Sequence, residues 1–133
     1  MRLVLDTSAA ANLILGTPDA QRVAAALTAA DIVIAPMLYQ SEMANTLWKA
    51  VRFGGLAEEL AQKYLEEALA LVDEFIPDDQ LMPQALHAAV RNEHPVYDMV
   101  FLVLAQRFAC RLLSTDKKLI TLANAIDPTI ALP

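Results

Sequence analysis

The chain opens with Arg2-Leu3-Val4-Leu5-Asp6-Thr7-Ser8, an apolar run that stops abruptly at an acid and two hydroxyls. A run this short, apolar and partly β-branched reads as a buried strand, with a helix following from about Ser8 to Leu15. A strand of this kind, buried on both faces, belongs to a parallel sheet covered by helices. Further along, the same alternation returns. Thr17-Pro18-Asp19 supplies a cap, a first-turn proline and a first-turn acid, opening a helix to about Ala30. Ile32–Ala35 is a second strand, and Pro36 opens a helix that stops at Gly54-Gly55.

Downstream of the glycines, Ala57–Phe75 reads as one amphipathic helix with Ala61, Leu65, Ala68, Leu69 and Val72 on its inner stripe. Its acids lie off that stripe and carry no chemistry. Leu81–Asn92 is a further helix that tolerates Pro83 in its first turn. Val96–Ala109 is apolar nearly all round, which predicts a central buried helix. Arg111–Ser114 reads as a strand, Asp116–Ala125 as a helix and Thr129–Leu132 as a final edge strand. Strands alternating with helices give an α/β layer structure around a mainly parallel sheet.

Composition agrees with one domain spanning 1–133. Apolar residues reach 56 % and alanine alone fills 24 positions, which favours well-buried helices. Three glycines and no Gly/Ser/Pro-rich tract leave no linker or repeat. Cys110 is the only cysteine, so no internal disulfide forms and a reducing cytoplasm is the expected home. The longest apolar runs are too short to span a bilayer, so no membrane association is expected. Net charge is −6. That excludes a passive, purely electrostatic nucleic-acid binder, but it leaves open an enzyme whose carboxylates hold divalent cations.

Four acids stand out, each with a plain reading beside a chemical one. Asp6 and Asp116 directly follow strands, where ligand sites form in such sheets; Asp is also a favoured helix N-cap, and both precede helices. Asp98 sits in Val96-Tyr97-Asp98-Met99-Val100-Phe101-Leu102, where a charge near a core costs several kcal/mol unless it is paired or coordinates metal. Glu42 heads a polar stripe with Asn45, Thr46 and Lys49. That stripe suits either a solvated face or a ligand beside a lysine that meets phosphate.

Taken together, these segments resemble the PIN-domain family, particularly the VapC-type toxins of bacterial and archaeal toxin–antitoxin pairs. Leu3-Val4-Leu5-Asp6-Thr7-Ser8 looks like the family's first strand and first acid, and Pro36 through Tyr39-Gln40-Ser41-Glu42 like its second. Tyr97-Asp98 with Leu102 and Leu104-Ala105 looks like the third, and Leu113-Ser114-Thr115-Asp116 with Leu119 like the fourth. Met99 departs from the small residue that commonly follows the third acid. The resemblance implies a three-layer α/β/α sandwich and one or two Mg²⁺ or Mn²⁺ ions bound by the acids. It also implies endonucleolytic RNA cleavage, a homodimer and a cognate antitoxin.

Within that reading, Asp6 and Asp98 are the primary metal ligands, supported by Glu42 and Asp116. Thr7, Ser8, Thr115, Asn45 and Lys49 are supporting candidates, with Arg52, Lys117 and Lys118 behind them. His87 and His94 form no zinc pattern with one cysteine and read as structural or surface residues. Trp48 reads as core or dimer interface. Rival readings are a non-catalytic acidic module that receives a basic partner, and a nuclease acting on DNA. A phospho-acceptor domain is disfavoured because Leu5-Asp6-Thr7 holds one acid, and an aspartyl phosphatase because position 8 is Ser.

Overall fold

The computed structural model describes residues 1–133. In chain order the elements are β1 (Arg2–Leu5), α1 (Thr7–Leu15), α2 (Ala20–Ala29), β2 (Ile32–Pro36), α3 (Leu38–Gly54) and α4 (Glu58–Ala70). Then come β3 (Glu74–Ile76), a 3-10 turn (Asp78–Gln80), α5 (Met82–Asn92), α6 (Val96–Arg107), β4 (Arg111–Leu113) and α7 (Lys117–Ile126). The strands form one parallel sheet in the order β3-β2-β1-β4. Leu3, Val4 and Leu5 of β1 are fully buried, because this central strand is covered on both faces.

The strand order dictates the layers. Crossovers between parallel strands are right-handed. The chain steps from β1 to β2 to β3 in one direction and then returns past β1 to β4. Helices α1–α4 therefore cover one face and α5–α6 the other, giving the expected α/β/α sandwich. Packing agrees: α1 meets α2, α3 and α4, whereas α6 meets α5 and strands β1, β2 and β4. Met99 through Ala105 of α6 are all fully buried, as an all-round apolar helix requires. Truncating one of them, Leu102→Ala, is expected to cost about 2–5 kcal/mol.

Three element boundaries differ from the sequence reading. The helix expected over Ala57–Phe75 ends at Ala70, and Glu74–Ile76 forms the edge strand β3. Asp73 makes the change of direction: its N–H donates to Val33 O at 2.8 Å, and its carboxylate accepts from Val33 N at 2.7 Å. Pro77 then disfavours helix at Ile76. Pro36 closes β2 instead of opening α3, since the Met37 N–H pairs with Ile76 O across the sheet. The expected edge strand over Thr129–Leu132 shrinks to a parallel bridge between Leu112 and Ala131. Gly55 ends α3 at φ 73°, a left-handed conformation that glycine adopts without strain.

The order in which the chain adds strands reverses at the β1–β4 boundary. In open parallel sheets a crevice forms there, beyond the carboxyl ends of the strands. Asp6 and Asp116 both lie at that end.

Candidate active site

The end of β1 is tied to the end of β4 by backbone and side chain together. The Asp6 N–H donates to Leu113 O at 3.0 Å, continuing the ladder that pairs Leu5 with Leu113. This brings Ser114 opposite Asp6. The Ser114 hydroxyl donates to Asp6 Oδ2 at 2.7 Å, and the Ser8 hydroxyl reaches the same oxygen at 2.5 Å. Each serine is itself held by backbone: Thr115 N–H donates to Ser8 Oγ and Asp116 N–H to Ser114 Oγ. Asp6 is only 4 % exposed and makes no side-chain cap on α1. Burial pushes its pKa above the ordinary carboxylate value; the two serine hydroxyls oppose this, and the Asp98 and Asp116 charges add to it.

Glu42 enters from the first turns of α3. Thr7, at the start of α1, donates its hydroxyl to Glu42 Oε1 at 2.9 Å. Burial pushes Glu42 up to about 7, with Thr7 opposing and the charges of Asp6, Asp98 and Asp78 adding. Asp98 comes from the first turn of α6. Its side chain is 31 % exposed, so it stands at the rim of the core and not inside it, and its Oδ2 lies 2.6 Å from His94 Nε2. Asp116 caps α7, accepting on Oδ1 from Lys118 N at 2.9 Å and Leu119 N at 3.3 Å.

All four acids line one cavity of about 270 Å³, together with Thr7, Ser8, Asn45, Thr46 and Lys49. A shared pattern runs through them. Each carboxylate is anchored by one oxygen, to serines, threonine, histidine or helix amides, while its second oxygen has no donor within the protein. In these rotamers no three of the acidic, His or Cys side chains close on a common point. The donor set nevertheless fits a hard divalent cation: it is all oxygen and rich in negative charge, and such ions keep several waters between themselves and their ligands. Mutual repulsion, which adds to the burial that raises Asp6 and Glu42, is what a bound cation would relieve.

Of the supporting residues, Thr7, Ser8, Asn45 and Lys49 border the cavity, and Thr46 joins them. Thr115 does not. Its hydroxyl accepts from Asn12 Nδ2 and its N–H holds Ser8, so it acts behind the site. Arg52 lies over the Phe53 ring, its guanidinium 5.3 Å from the centroid. Two contributors escaped the sequence. His94, a structural or surface residue by sequence, bonds Asp98; it stands four residues before that acid, with Pro95 interrupting any helical spacing between them. Ser114 bonds Asp6 across 108 positions, which only the β1–β4 register reveals.

A different surface lies between α3 and α4. Ala44, Leu47, Trp48, Val51, Ala61 and Leu65 line an apolar cavity of about 320 Å³. Trp48 is 54 % exposed and packs edge-on to Phe53, so it belongs to a surface and not to the core.

The α/β/α sandwich with acids at its switch point defines a class, and the comparisons agree. The PIN domain family model matches residues 3–125, and the chain belongs to that family. It is 30 % identical over 121 residues to Ribonuclease VapC3 of Pyrobaculum aerophilum, covering 90 % of this chain and 92 % of that one. Among solved structures, PAE2754 from Pyrobaculum aerophilum superposes with a TM-score of 0.74 at 20 % identity, covering 92 % of this chain and 79 % of the other. VapBC2 from Rickettsia felis, bound to a promoter DNA fragment, gives 0.68 at 14 % identity over 99 % and 98 % of the chains. VapBC-1 from nontypeable Haemophilus influenzae gives 0.64 at 17 % identity over 99 % and 97 %. These structures share the fold.

Proposed function

We propose that residues 1–133 form one nuclease domain that hydrolyses RNA phosphodiesters at the cavity of Asp6, Glu42, Asp98 and Asp116, as the toxin of a VapBC-type pair. One observation carries the reading. Four carboxylates from four separate elements converge at the switch point, each fixed through one oxygen and open at the other. An acidic docking module would need negative charge at its surface, yet Asp6 is almost fully buried. Likeness to a ribonuclease over nine-tenths of the chain favours RNA over DNA as substrate.

Asp6 and Asp98 would hold a Mg²⁺ or Mn²⁺ ion, with Glu42 and Asp116 supporting directly or through water. When bound, such an ion supplies Lewis acidity, offsetting charge on the phosphodiester and making water easier to deprotonate. The chain's own groups do the rest. Ser8 and Ser114 fix the Asp6 carboxylate, Thr7 fixes Glu42, and His94 fixes Asp98. Lys49 and Asn45 border the cavity from α3, where an ammonium and an amide suit the non-bridging oxygens of a phosphate. Glu42 keeps the oxygen that Thr7 leaves free turned to the same cavity.

For partners, the reading includes a second copy of the chain and a cognate antitoxin. Exposed Trp48 and Phe53 on α3, and Leu86 and Val90 on α5, offer the apolar surface that such interfaces bury. No helix is long and apolar enough to cross a membrane, in keeping with a cytoplasmic enzyme.

The test is RNA cleavage by purified protein with Mg²⁺, with Mn²⁺ and with chelator, beside Asp98→Asn prepared identically. Cleavage that needs metal and vanishes in a folded variant is the expected outcome. Equal activity in the variant would remove Asp98 from the site.

A further inference from the structure

Beside the acid cavity lies a second, shallower depression of about 450 Å³, bordered by His94, Lys117, Lys118, Thr121, Leu122 and Ala125. The two adjoin. Asp116 lines the first and directly precedes Lys117, while His94 borders the second and bonds Asp98 of the first. Lys118, Thr121, Leu122 and Ala125 recur at three- and four-residue spacing, so a single face of α7 makes the floor. Its character changes along its length. Two ammonium groups stand at the end nearest the acids, and an apolar strip of Leu122 and Ala125 follows.

The lysines sit where local electrostatics does not favour them. The first turn of a helix carries the positive end of its dipole, which repels cations. Neither lysine has a carboxylate partner: the ion pairs of the molecule are Met1–Asp31, Arg22–Asp19 and His94–Asp98. Both are exposed. A strand of phosphates entering a four-acid cavity meets repulsion from this chain of net charge −6, and two unpaired cations at the rim offset it.

We infer that this depression is a nucleotide subsite for single-stranded RNA. Lys117 and Lys118 hold the phosphate next to the scissile one, and the Leu122–Ala125 strip beside His94 carries the adjoining base. An apolar floor with cationic rim suits this ligand, because bases offer flat apolar faces and phosphates offer charge. The inference rests on the ribonuclease reading and adds to it a place for the substrate beyond the cleaved bond.

The test compares wild-type protein, Lys117→Gln/Lys118→Gln and a control, Lys63→Gln on α4, which lies outside both cavities. Glutamine keeps much of the aliphatic stem and removes only the charge. Cleavage of a mixed-sequence single-stranded oligoribonucleotide in Mg²⁺ gives KM and kcat. Anisotropy of the same labelled RNA in chelator gives affinity against salt. The double variant is expected to raise KM about tenfold with kcat unchanged. Its salt slope should fall by about 0.7, because the two lysines together neutralise one phosphate and each phosphate of a single strand is worth about 0.7. The control should match wild type. Unchanged KM and slope in a double variant that still cleaves would overturn the subsite and leave the nuclease standing. Failure of wild-type protein to cleave any RNA with metal present would remove the nuclease reading, and the subsite with it.

Discussion

Two strand ends of this molecule share one local grammar and do different work. β1 runs into Asp6 and then α1; β4 runs through Ser114-Thr115 into Asp116 and then α7. Asp116 spends Oδ1 on the N–H groups of Lys118 and Leu119, as a helix cap does. Asp6 makes no such bond, is almost fully buried, and is held by serines that contribute nothing to α1 as a cap. A cap explains the presence of Asp116 whether or not it also serves chemistry. Helix capping does not explain the Asp6 carboxylate, and a buried charge at a strand end beside three further acids points to function.

The sharpest way to break this contrast is activity. Asp6→Asn keeps an oxygen acceptor for Ser8 and Ser114 while removing the charge. It is expected to lower metal-dependent RNA cleavage by about a thousandfold, since metal-derived stabilisation is worth several kcal/mol at about 1.36 kcal/mol per decade. Cleavage assays at saturating Mg²⁺ would show it, and a loss below tenfold would return Asp6 to an ordinary buried polar group.

Metal linkage follows. Thermal melts of wild-type protein should rise with Mg²⁺ or Mn²⁺, by about 2.7 kcal/mol of stability at a hundred times Kd. In Asp6→Asn that rise should largely vanish, and a wild-type melting curve indifferent to millimolar metal would count against the site.

Metal-free stability separates the two ends by sign. Asp116→Ala loses a cap and should destabilise by about 1 kcal/mol, or about 3–5 °C in Tm for a chain of this size. Asp6→Asn removes a buried charge whose ionisation the fold disfavours, so its Tm near neutral pH should match or exceed wild type.

The smallest expected effect concerns pH. Glu42 is raised from 4.5 to about 7, so the folded state binds more protons than the unfolded one between those values. Its contribution to stability is therefore present below pH 4.5 and is lost as pH rises through 7. In chelator, wild-type Tm should fall between pH 5.5 and 7.5, and Glu42→Gln should flatten that fall. Identical slopes in the two proteins would show that burial does not raise Glu42.

Much of this was legible in the sequence because it is written locally. Strands β1, β2 and β4, the buried helix α6 and the stop at Gly55 follow from apolar runs, all-round hydrophobicity and a left-handed cap. The four acids were legible through strand-end position and family likeness. What escaped depends on contacts between distant segments. β3 is three residues long and was absorbed into the amphipathic pattern of α4; its identity comes from Asp73 bonding Val33 across the sheet. The direct neighbours of the acids, Ser114 and His94, were invisible for the same reason. Hydroxyls and imidazoles carry no periodic signal, and only register or a turn brings them to a carboxylate. Trp48 is a case the sequence left open between core and dimer interface, and its 54 % exposure removes the core.

The bond from Ser114 to Asp6 closes a loop of more than a hundred residues, whereas Ser8 reaches the same oxygen from two positions away. Such long closures are the slow part of folding, since chain entropy is lost before the contact repays it. A growing polypeptide therefore carries Asp6, its near serine and Glu42 well before β4 emerges to complete the group. The centre is absent from every shorter intermediate and appears only as the last strand docks. The four-acid cavity is therefore a property of the whole docked sheet and of no single stretch of chain.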